Sequence, residues 1–135
     1  MNNFFKLKIV AANTIVLDRN VNMVIVPGSE GFMAVLKGHV DMLSLINLGV
    51  LEVKIDNNAF EKYVVHNGIC RIKNGVCEIV VRELIKVAEI DKNSLITSIS
   101  DIQSMINNSL YEDKKIKLQQ KLEYLNLCLK NYMER

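Results

Sequence analysis

The spacing of apolar residues changes near residue 86, and this change limits what the chain can fold into. Within Val50–Ile55, the apolar residues Leu51, Val53 and Ile55 alternate with Glu52 and Lys54, a period of two that is typical of a β-strand with one buried face. Further on, residues at steps of four, three and four are apolar: Leu95, Ile99, Ile102 and Ile106. That spacing places them on one face of a helix. The sequence therefore predicts a mainly β domain followed by a helical one.

The first part is expected to form about eight to ten short strands, because turn residues recur about every 8–12 positions. The expected turns lie at Ala12–Thr14, Arg19–Asn20, Asn47–Gly49, Asp56–Asn58, Asn67–Gly68 and Asn74–Gly75. Such a pattern is typical of a β-sandwich or barrel. We therefore predict a fold of mainly β plus α class, with a β-sandwich or barrel in residues 1–86 and an antiparallel αα-hairpin in residues 87–135.

Capping residues and a leucine stripe predict the two helices of the hairpin. Asp91 can cap the first helix. Ser109 and Glu112 have the spacing of a capping box that opens a second helix. A stripe predicted to pack on the first helix and on the sandwich consists of Leu118, Leu122, Leu125, Leu129 and Tyr132. Most of the four lysines near the start of this helix lie off the stripe: Lys114, Lys115, Lys117 and Lys121. They form either a solvated face of the helix or a contact with an acidic partner.

Composition excludes several classes of function. The chain has 135 residues, of which 50% are hydrophobic and 24% charged, and a net charge of +2. A charge this small does not favour nucleic acid as a partner. The apolar runs are far shorter than the ~20 residues needed to span a bilayer, and no secretion signal is expected at the start. An odd count of cysteines, at 70, 77 and 128, favours reduced, buried thiols over a disulfide framework or zinc site.

No catalytic constellation is evident among the reactive residue types. His39 and His66 are the only histidines, and neither is spaced for a cysteine–histidine nucleophilic site or a metal site. His39 follows a turn glycine, where a histidine usually fixes a loop through hydrogen bonds. We therefore expect no catalytic residue, no cofactor and no metal, and a chain that is not an enzyme.

The segment Pro27–His39 holds the only proline and three of the six glycines. Proline and glycine together predict a shaped loop, a short apolar strand and a second turn. Such a loop standing on a sheet is a suitable place for another molecule to dock. Within it, Glu30 is either an exposed loop carboxylate or a docking residue.

This segment also resembles a known family, the epsilon subunits of F-type ATP synthases, whose mitochondrial counterpart is called delta. The resemblance is carried by Pro27-Gly28-x-Glu30-Gly31 and Val35-Leu36-x-Gly38-His39. It continues, in the family's order, at Leu48–Leu51, Val65–Gly68 and Val87–Asp91. The resemblance implies a non-catalytic rotor subunit of a proton-translocating ATP synthase, peripheral on the cytoplasmic face of the bacterial inner membrane.

The resemblance also implies partners for particular residues. The sandwich would bind the c ring through Gly28, Ser29, Glu30, Gly31, Phe32 and Met33, and the gamma subunit through Gly38, His39 and Val40. Phe32 departs from the family, in which an acidic residue is frequent at this position, so an apolar contact would replace a polar one. The extended hairpin would inhibit ATP hydrolysis, with Lys114, Lys115, Lys117 and Lys121 meeting the alpha/beta catalytic head.

Some family members bind ATP through an Asp-x-x-Arg-Ala pattern, which this chain matches only in part. Asp91 is present, but Ser94 and Leu95 replace the arginine and the alanine. Because the guanidinium that would pair with phosphate is missing, we expect no tight ATP binding. An alternative function from a different class is a stand-alone, nucleotide-responsive regulator or adaptor with the same architecture.

Overall fold

The computed structural model describes residues 2–135, and the chain divides into two compact units, with the boundary in the sequence between Lys86 and Val87. The strands are β1 (Phe5–Ala11), β2 (Thr14–Val21), β3 (Met23–Gly28), β4 (Gly31–Val35), β5 (Met42–Lys54), β6 (Phe60–Lys73) and β7 (Val76–Lys86). The helices are α1 (Lys92–Asn108) and α2 (Glu112–Glu134), preceded by a 3₁₀ turn at Val87–Glu89. No helix in residues 2–135 combines the length and the apolar character needed to cross a membrane.

The seven strands form one hydrogen-bonded sheet in the order β2-β1-β7-β6-β5-β3-β4. β1 and β7 run parallel, while the other neighbours are antiparallel. The sheet folds over a single apolar core to give a β-sandwich, with residues such as Leu7, Val24, Leu51 and Ile79 fully buried. The predicted fold class, a β-sandwich followed by a helical hairpin, is confirmed.

The two longest strands change their buried face part-way along. In β5, Ile46 is buried while Leu45 is exposed, but further on the odd-numbered Leu51 and Val53 are buried. Side chains alternate between faces along a strand, so a change from even to odd means that the strand turns over near Asn47. β6 does the same. These long strands thereby enclose the core instead of forming one flat layer.

The number of strands differs from the expected eight to ten, because three predicted turns lie inside strands. Asn47–Gly49 belongs to β5, and Asn67–Gly68 belongs to β6. At Gly68, a β-carbon would come within 2.1 Å of the Val80 carbonyl oxygen. This glycine therefore serves the close approach of two strands, not a reversal of the chain. Arg19–Asn20, another predicted turn, likewise lies within β2.

Other predicted turns are confirmed. Asn74 and Gly75 join β6 to β7, with φ of 52° and 78°, the conformation that a tight two-residue hairpin requires at both central positions. Ala12 and Asn13, with φ of 47° and 66°, join β1 to β2 in the same way. Asp56 closes the β5–β6 turn by accepting a hydrogen bond of 2.7 Å from the Asn58 backbone N–H.

Helix α1 begins as the sequence predicts. The Asp91 carboxylate accepts hydrogen bonds from the Asn93 backbone N–H, at 3.1 Å, and from the Ser94 hydroxyl, at 2.9 Å. This satisfies one of the free N–H groups that every helix start exposes. Leu95 is buried one turn later, so the cap directs the apolar face of α1 inwards.

The predicted capping box at the start of α2 is wrong. The N-cap is Tyr111, which makes no side-chain capping bond. Ser109 instead ends α1: its backbone N–H donates to the Ile106 carbonyl at 3.3 Å, and its hydroxyl donates to the Tyr111 carbonyl at 3.2 Å. Because the linker between the helices is so short, Ser109 cannot both end one helix and cap the next.

The buried face of α2 is rotated from the predicted leucine stripe. The buried residues are Tyr124, Leu125 and Cys128, of which only Leu125 belongs to the stripe. At the end of α2, the Arg135 guanidinium donates to the carbonyls of Val87 and Ala88 at 3.0 and 3.1 Å. The last residue of this unit is thereby tied to its first ones.

Candidate partner-binding surfaces

The turn between β3 and β4 holds the residues predicted to face the c ring. Gly28 and Gly31 lie opposite each other in the sheet, so Ser29 and Glu30 form a two-residue hairpin turn. Gly31 has a φ of +124°, open to few residues besides glycine. The Ser29 backbone N–H donates to the Leu45 carbonyl at 2.9 Å. This bond holds the turn against β5.

Phe32 is the most prominent side chain of this turn. It is 78% exposed and lies opposite Pro27 across the β3–β4 pair. Its neighbour Met33 is half-buried and packs against the core. A partner approaching this turn therefore meets the Ser29 hydroxyl, the Glu30 carboxylate and the Phe32 ring, while Met33 supports them from below.

Pro27 is held at the end of β3 by a second close approach. It is buried, and a β-carbon at Gly49 would come within 2.4 Å of the Pro27 β-carbon. Gly49 thus leaves the space that the proline ring fills. The only proline of the chain is in this way fixed by β5, and the turn that follows it is fixed as well.

The predicted gamma-facing residues lie in a second, irregular turn. Gly38 has a φ of +85°, and the His39 backbone N–H donates to the Leu36 carbonyl at 3.1 Å. The Nδ1 atom of His39 lies 2.9 Å from the Val40 carbonyl oxygen. These contacts agree with a histidine that fixes a loop. Val40 itself is 74% exposed.

A row of apolar side chains crosses the outer face of the sandwich, and sequence reasoning missed it. Leu45 lies opposite Ile69, and Ile69 opposite Val80. The row continues from Val80 to Val10 and from Val10 to Ile15. Its ends are open to solvent, with Leu45 60% and Ile15 57% exposed. We call these five residues the apolar row.

A second row of alternating charge runs beside the apolar row. Arg71 lies opposite Glu78, Glu78 opposite Lys8, and Lys8 opposite Asp18. The Arg71 and Glu78 side chains are 3.5 Å apart. We call these four residues the charged row. Because neighbouring charges have opposite signs, the row has almost no net charge. Its fixed order of signs can align a partner of complementary charge without attracting every charged molecule.

The register between strands is what exposes the two rows. In the sequence, Leu43 and Leu45 are part of one short apolar run, Met42–Ile46, which is also compatible with a buried strand. Only pairing with β6 and β7 shows that Leu45, Ile69 and Val80 share one outward face. Alternation within each strand was the available signal, but it does not give the pairing.

A partly buried polar cluster ties the end of β7 to β6. The Glu61 carboxylate accepts a hydrogen bond from the Tyr63 hydroxyl and another, of 3.3 Å, from the Lys86 ammonium. Burial raises the pKa of Glu61, but the hydrogen bonds from Tyr63 and Lys86 outweigh it, so this pKa lies below its ordinary value. The carboxylate is therefore ionised at neutral pH and anchors the last residue of the sandwich unit.

The four lysines predicted to meet the catalytic head do not share one face. Lys114, Lys117 and Lys121 follow each other at steps of three and four on α2, which aligns them along one side of the helix. Lys115 lies away from them and pairs with Glu112 at 3.8 Å. Lys114 and Lys121 also stack over Tyr111 and Tyr124, at 5.6 and 5.1 Å.

A groove of about 770 Å³ separates α1 and α2 near their connection. Met105 and Leu118 supply its apolar walls, and Lys114 and Lys117 stand at its edge. Two of the three aligned lysines, Lys114 and Lys117, therefore lie next to apolar surface.

The partial ATP pattern is used for helix capping. The Asp91 carboxylate is occupied by Asn93 and Ser94, and Leu95, where the pattern has alanine, is buried. No group of three or more histidine, cysteine or acidic side chains within residues 2–135 is arranged to hold a metal ion.

Comparisons with known proteins agree with this architecture. The family described as ATP synthase, Delta/Epsilon chain, beta-sandwich domain matches residues 4–87. The ATP synthase epsilon chain of Mesorhizobium japonicum is 26% identical over 121 residues, covering 90% of each chain. The ATP synthase epsilon chain of Brucella canis is 30% identical over 105 residues, covering 78% of this chain and 73% of that one.

Solved structures show the same fold. A chain of the Euglena gracilis mitochondrial ATP synthase, from a structure of OSCP, F1 and c-ring, matches with a TM-score of 0.75 and 23% identity, covering 93% of this chain and 79% of that one. A chain of the Tetrahymena thermophila mitochondrial ATP synthase central stalk and c-ring matches with a TM-score of 0.64 and 13% identity, covering 94% and 95%.

The chain belongs to the delta/epsilon chains of ATP synthases, because the family match spans more than half of its length. Its curated relatives are epsilon chains, and it is a non-catalytic subunit of the F-type ATP synthase. The resemblance seen in the sequence is confirmed. The alternative of a stand-alone regulator is not favoured, since the matching proteins are ATP synthase subunits.

Proposed function

We propose that the sandwich fixes this chain in the central stalk by binding the gamma subunit with one surface and the c ring with another. The apolar row is the observation that carries the first half of this proposal. Soluble monomers seldom expose contiguous apolar surface of this kind, and where they do it usually marks a contact with another molecule. The gamma surface is then an outer face of the sheet, which strands hold more rigidly than a loop.

The gamma surface begins at the Gly38–Val40 turn and continues into the apolar row. Val40 and Leu43 are both strongly exposed and lead along the start of β5 to Leu45. From Leu45 the row crosses β6 and β7 to Ile69 and Val80. The matching surface of gamma would be apolar, flanked by charges that oppose those of the charged row.

The c-ring surface is the Gly28–Met33 turn. The exposed Phe32 ring makes this contact partly apolar, and the Ser29–Glu30 tip supplies the polar part. Because the turn is tied to β5 through Ser29 and Leu45, a load on it is transmitted directly into the strand that carries the gamma surface. Such a connection suits a subunit that links gamma to the c ring.

The helical hairpin is the regulatory element, and the lysines of α2 are its contact with the catalytic head. Lys114, Lys117 and Lys121 share one side of the helix, which fits an acidic partner segment. An isolated pair of helices is marginally stable in water, so a partner can choose between arrangements of the hairpin that differ by a few kcal/mol. The assembled subunit lies on the cytoplasmic face of the bacterial inner membrane.

Co-elution with the cognate gamma subunit on a sizing column tests the gamma surface. Leu45→Glu and Ile69→Glu each place a charge in the apolar row and should weaken the complex at least tenfold, since a buried unpaired charge costs several kcal/mol. Phe60→Glu is the matched control: Phe60 is similarly exposed on β6 but lies outside the row. If both row variants co-elute like the wild type, gamma does not bind this face.

A further inference from the structure

Two cysteines of the sandwich touch each other inside the core. The Sγ atoms of Cys70 and Cys77 are 3.7 Å apart, and both side chains are buried. They lie on the adjacent antiparallel strands β6 and β7 as diagonal neighbours, because Cys70 faces Ile79 and Cys77 faces Ile72. Both are reduced. The function proposed above uses neither thiol.

A small cavity touches one member of the pair. Cys77 lines it together with Gly38, His39 and Gly75. A β-carbon at Gly38 or at Gly75 would have no atom of a residue beyond the chain neighbours within 4 Å. The cavity has room for a molecule about as small as water, and it is lined by Cys77 and not by Cys70, so a small oxidant has a shorter way to Cys77.

We propose that Cys70 and Cys77 are an oxidative modification site at which a hydroperoxide forms a reversible disulfide between β6 and β7. In the first step the Cys77 sulfur attacks a peroxide oxygen and the O–O bond breaks. The leaving hydroxide takes the thiol proton and departs as water. In the second step the Cys70 sulfur attacks the resulting sulfenic acid, the S–O bond breaks, and a second water leaves with the Cys70 proton.

The geometry sets the character of this bond. The two sulfurs must approach from 3.7 Å to about 2.05 Å, the length of a disulfide, so β6 and β7 must shift slightly. A disulfide formed under strain is reduced more readily than a relaxed one. The hydrogen bond between the two thiols raises the pKa of Cys77 and lowers that of Cys70. Access through the cavity, and not acidity, therefore selects Cys77, and because this thiol is protonated at neutral pH the first step is slow.

Thiol counting on the full chain tests the proposal. The protein is exposed to hydrogen peroxide, denatured in an alkylating reagent, and analysed by intact mass and peptide mapping. The wild type has three thiols before oxidation, and we expect one after it, a peptide link between Cys70 and Cys77, and full recovery with dithiothreitol. In Cys128→Ser, the matched control, the same link should form and leave no free thiol.

The single variants Cys70→Ser and Cys77→Ser should each lose the intramolecular link. If either fails to fold, Cys70→Ala and Cys77→Ala replace them, and peptide mapping of the wild type still decides the question. Three thiols that survive peroxide would overturn the proposal. So would oxygen addition without a link, or a disulfide that joins two chains through Cys128.

Discussion

Gly68 and Val80 lie so close together that a β-carbon on the glycine would come within 2.1 Å of the Val80 carbonyl oxygen. At this point the strands β6 and β7 pass from one part of the sandwich to the other. Val80 itself belongs to the apolar row, and Ile69, the residue after Gly68, lies opposite it. The close contact that shapes the fold thus also positions the surface proposed to bind gamma.

Replacing Gly68 by alanine should destabilise the sandwich by about 2–4 kcal/mol, because backbone atoms cannot move away from the added methyl group. Chemical denaturation followed by circular dichroism measures this change. Gly28→Ala is the graded control: its nearest neighbours are 3.0 Å away, so a smaller loss is expected. Equal losses in the two variants would contradict the steric explanation.

The stability of the sandwich should depend on the ionisation of Glu61. Burial raises the pKa of Glu61, but the hydrogen bonds from Tyr63 and Lys86 lower it by more, so this pKa lies below its ordinary value. The ionised carboxylate therefore stabilises the fold above the unfolded-state pKa, and this contribution disappears as the pH falls through the folded-state pKa. In Glu61→Gln, stability at neutral pH should drop by about 1 kcal/mol.

Denaturation of wild type and Glu61→Gln at neutral pH and at about pH 3, below the ordinary range of glutamate, tests this. The gap between the two proteins should shrink in acid. Glu30→Gln is the control, since Glu30 is exposed at a turn tip. A gap that is the same at both pH values would mean that the ionised group does not stabilise the fold.

Removing the helix cap with Asp91→Ala should weaken the hairpin by about 1 kcal/mol, the usual effect of losing an N-cap side chain. The Asn93 backbone N–H would then lack its partner. Far-ultraviolet circular dichroism during thermal unfolding reports the helical signal. Asp101→Ala, an exposed change within α1, should leave the midpoint nearly unaltered; a matching shift there would argue against capping.

Inhibition of the cognate ATPase should depend on the aligned lysines of α2. Replacing Lys114, Lys117 and Lys121 together by alanine is expected to raise ATP hydrolysis by the reconstituted complex, whereas Lys115→Ala should have little effect, because Lys115 lies on another side and pairs with Glu112. Lys92→Ala with Lys130→Ala controls for loss of positive charge from the hairpin. Unchanged inhibition by the triple variant would remove these residues from the proposed contact.

Binding of the c ring should depend on Phe32. We expect Phe32→Asp to weaken the association of the gamma-bound chain with isolated c ring, because an exposed ring that packs on a partner loses its apolar contact area. Binding to gamma should be unaffected, since Phe32 lies outside the apolar row. Phe60→Asp is the control, because Phe60 is also strongly exposed but lies elsewhere. Identical binding of both variants would exclude a contact at Phe32.

Structural features that depend on only a few neighbouring residues could be predicted from the sequence alone. The change of apolar period near residue 86, the turn at Asn74–Gly75 and the cap at Asp91 all depend on neighbours in the chain, and each is present in the structure. The same kind of reasoning failed at Gly68, where a glycine needed for close packing has the composition of a turn. It failed again at Ser109, whose backbone N–H ends the preceding helix and whose hydroxyl donates to the Tyr111 carbonyl instead of capping α2.

Only the tertiary structure decided which strands are neighbours and in what register. The parallel pair of β1 and β7 joins segments far apart in the chain, and it brings Val10 next to Val80. The apolar row and the contact between Cys70 and Cys77 exist because of such pairings. A shift of one residue would turn every one of these side chains to the opposite face, so their positions depend on packing of the whole core, which no local pattern in the sequence records.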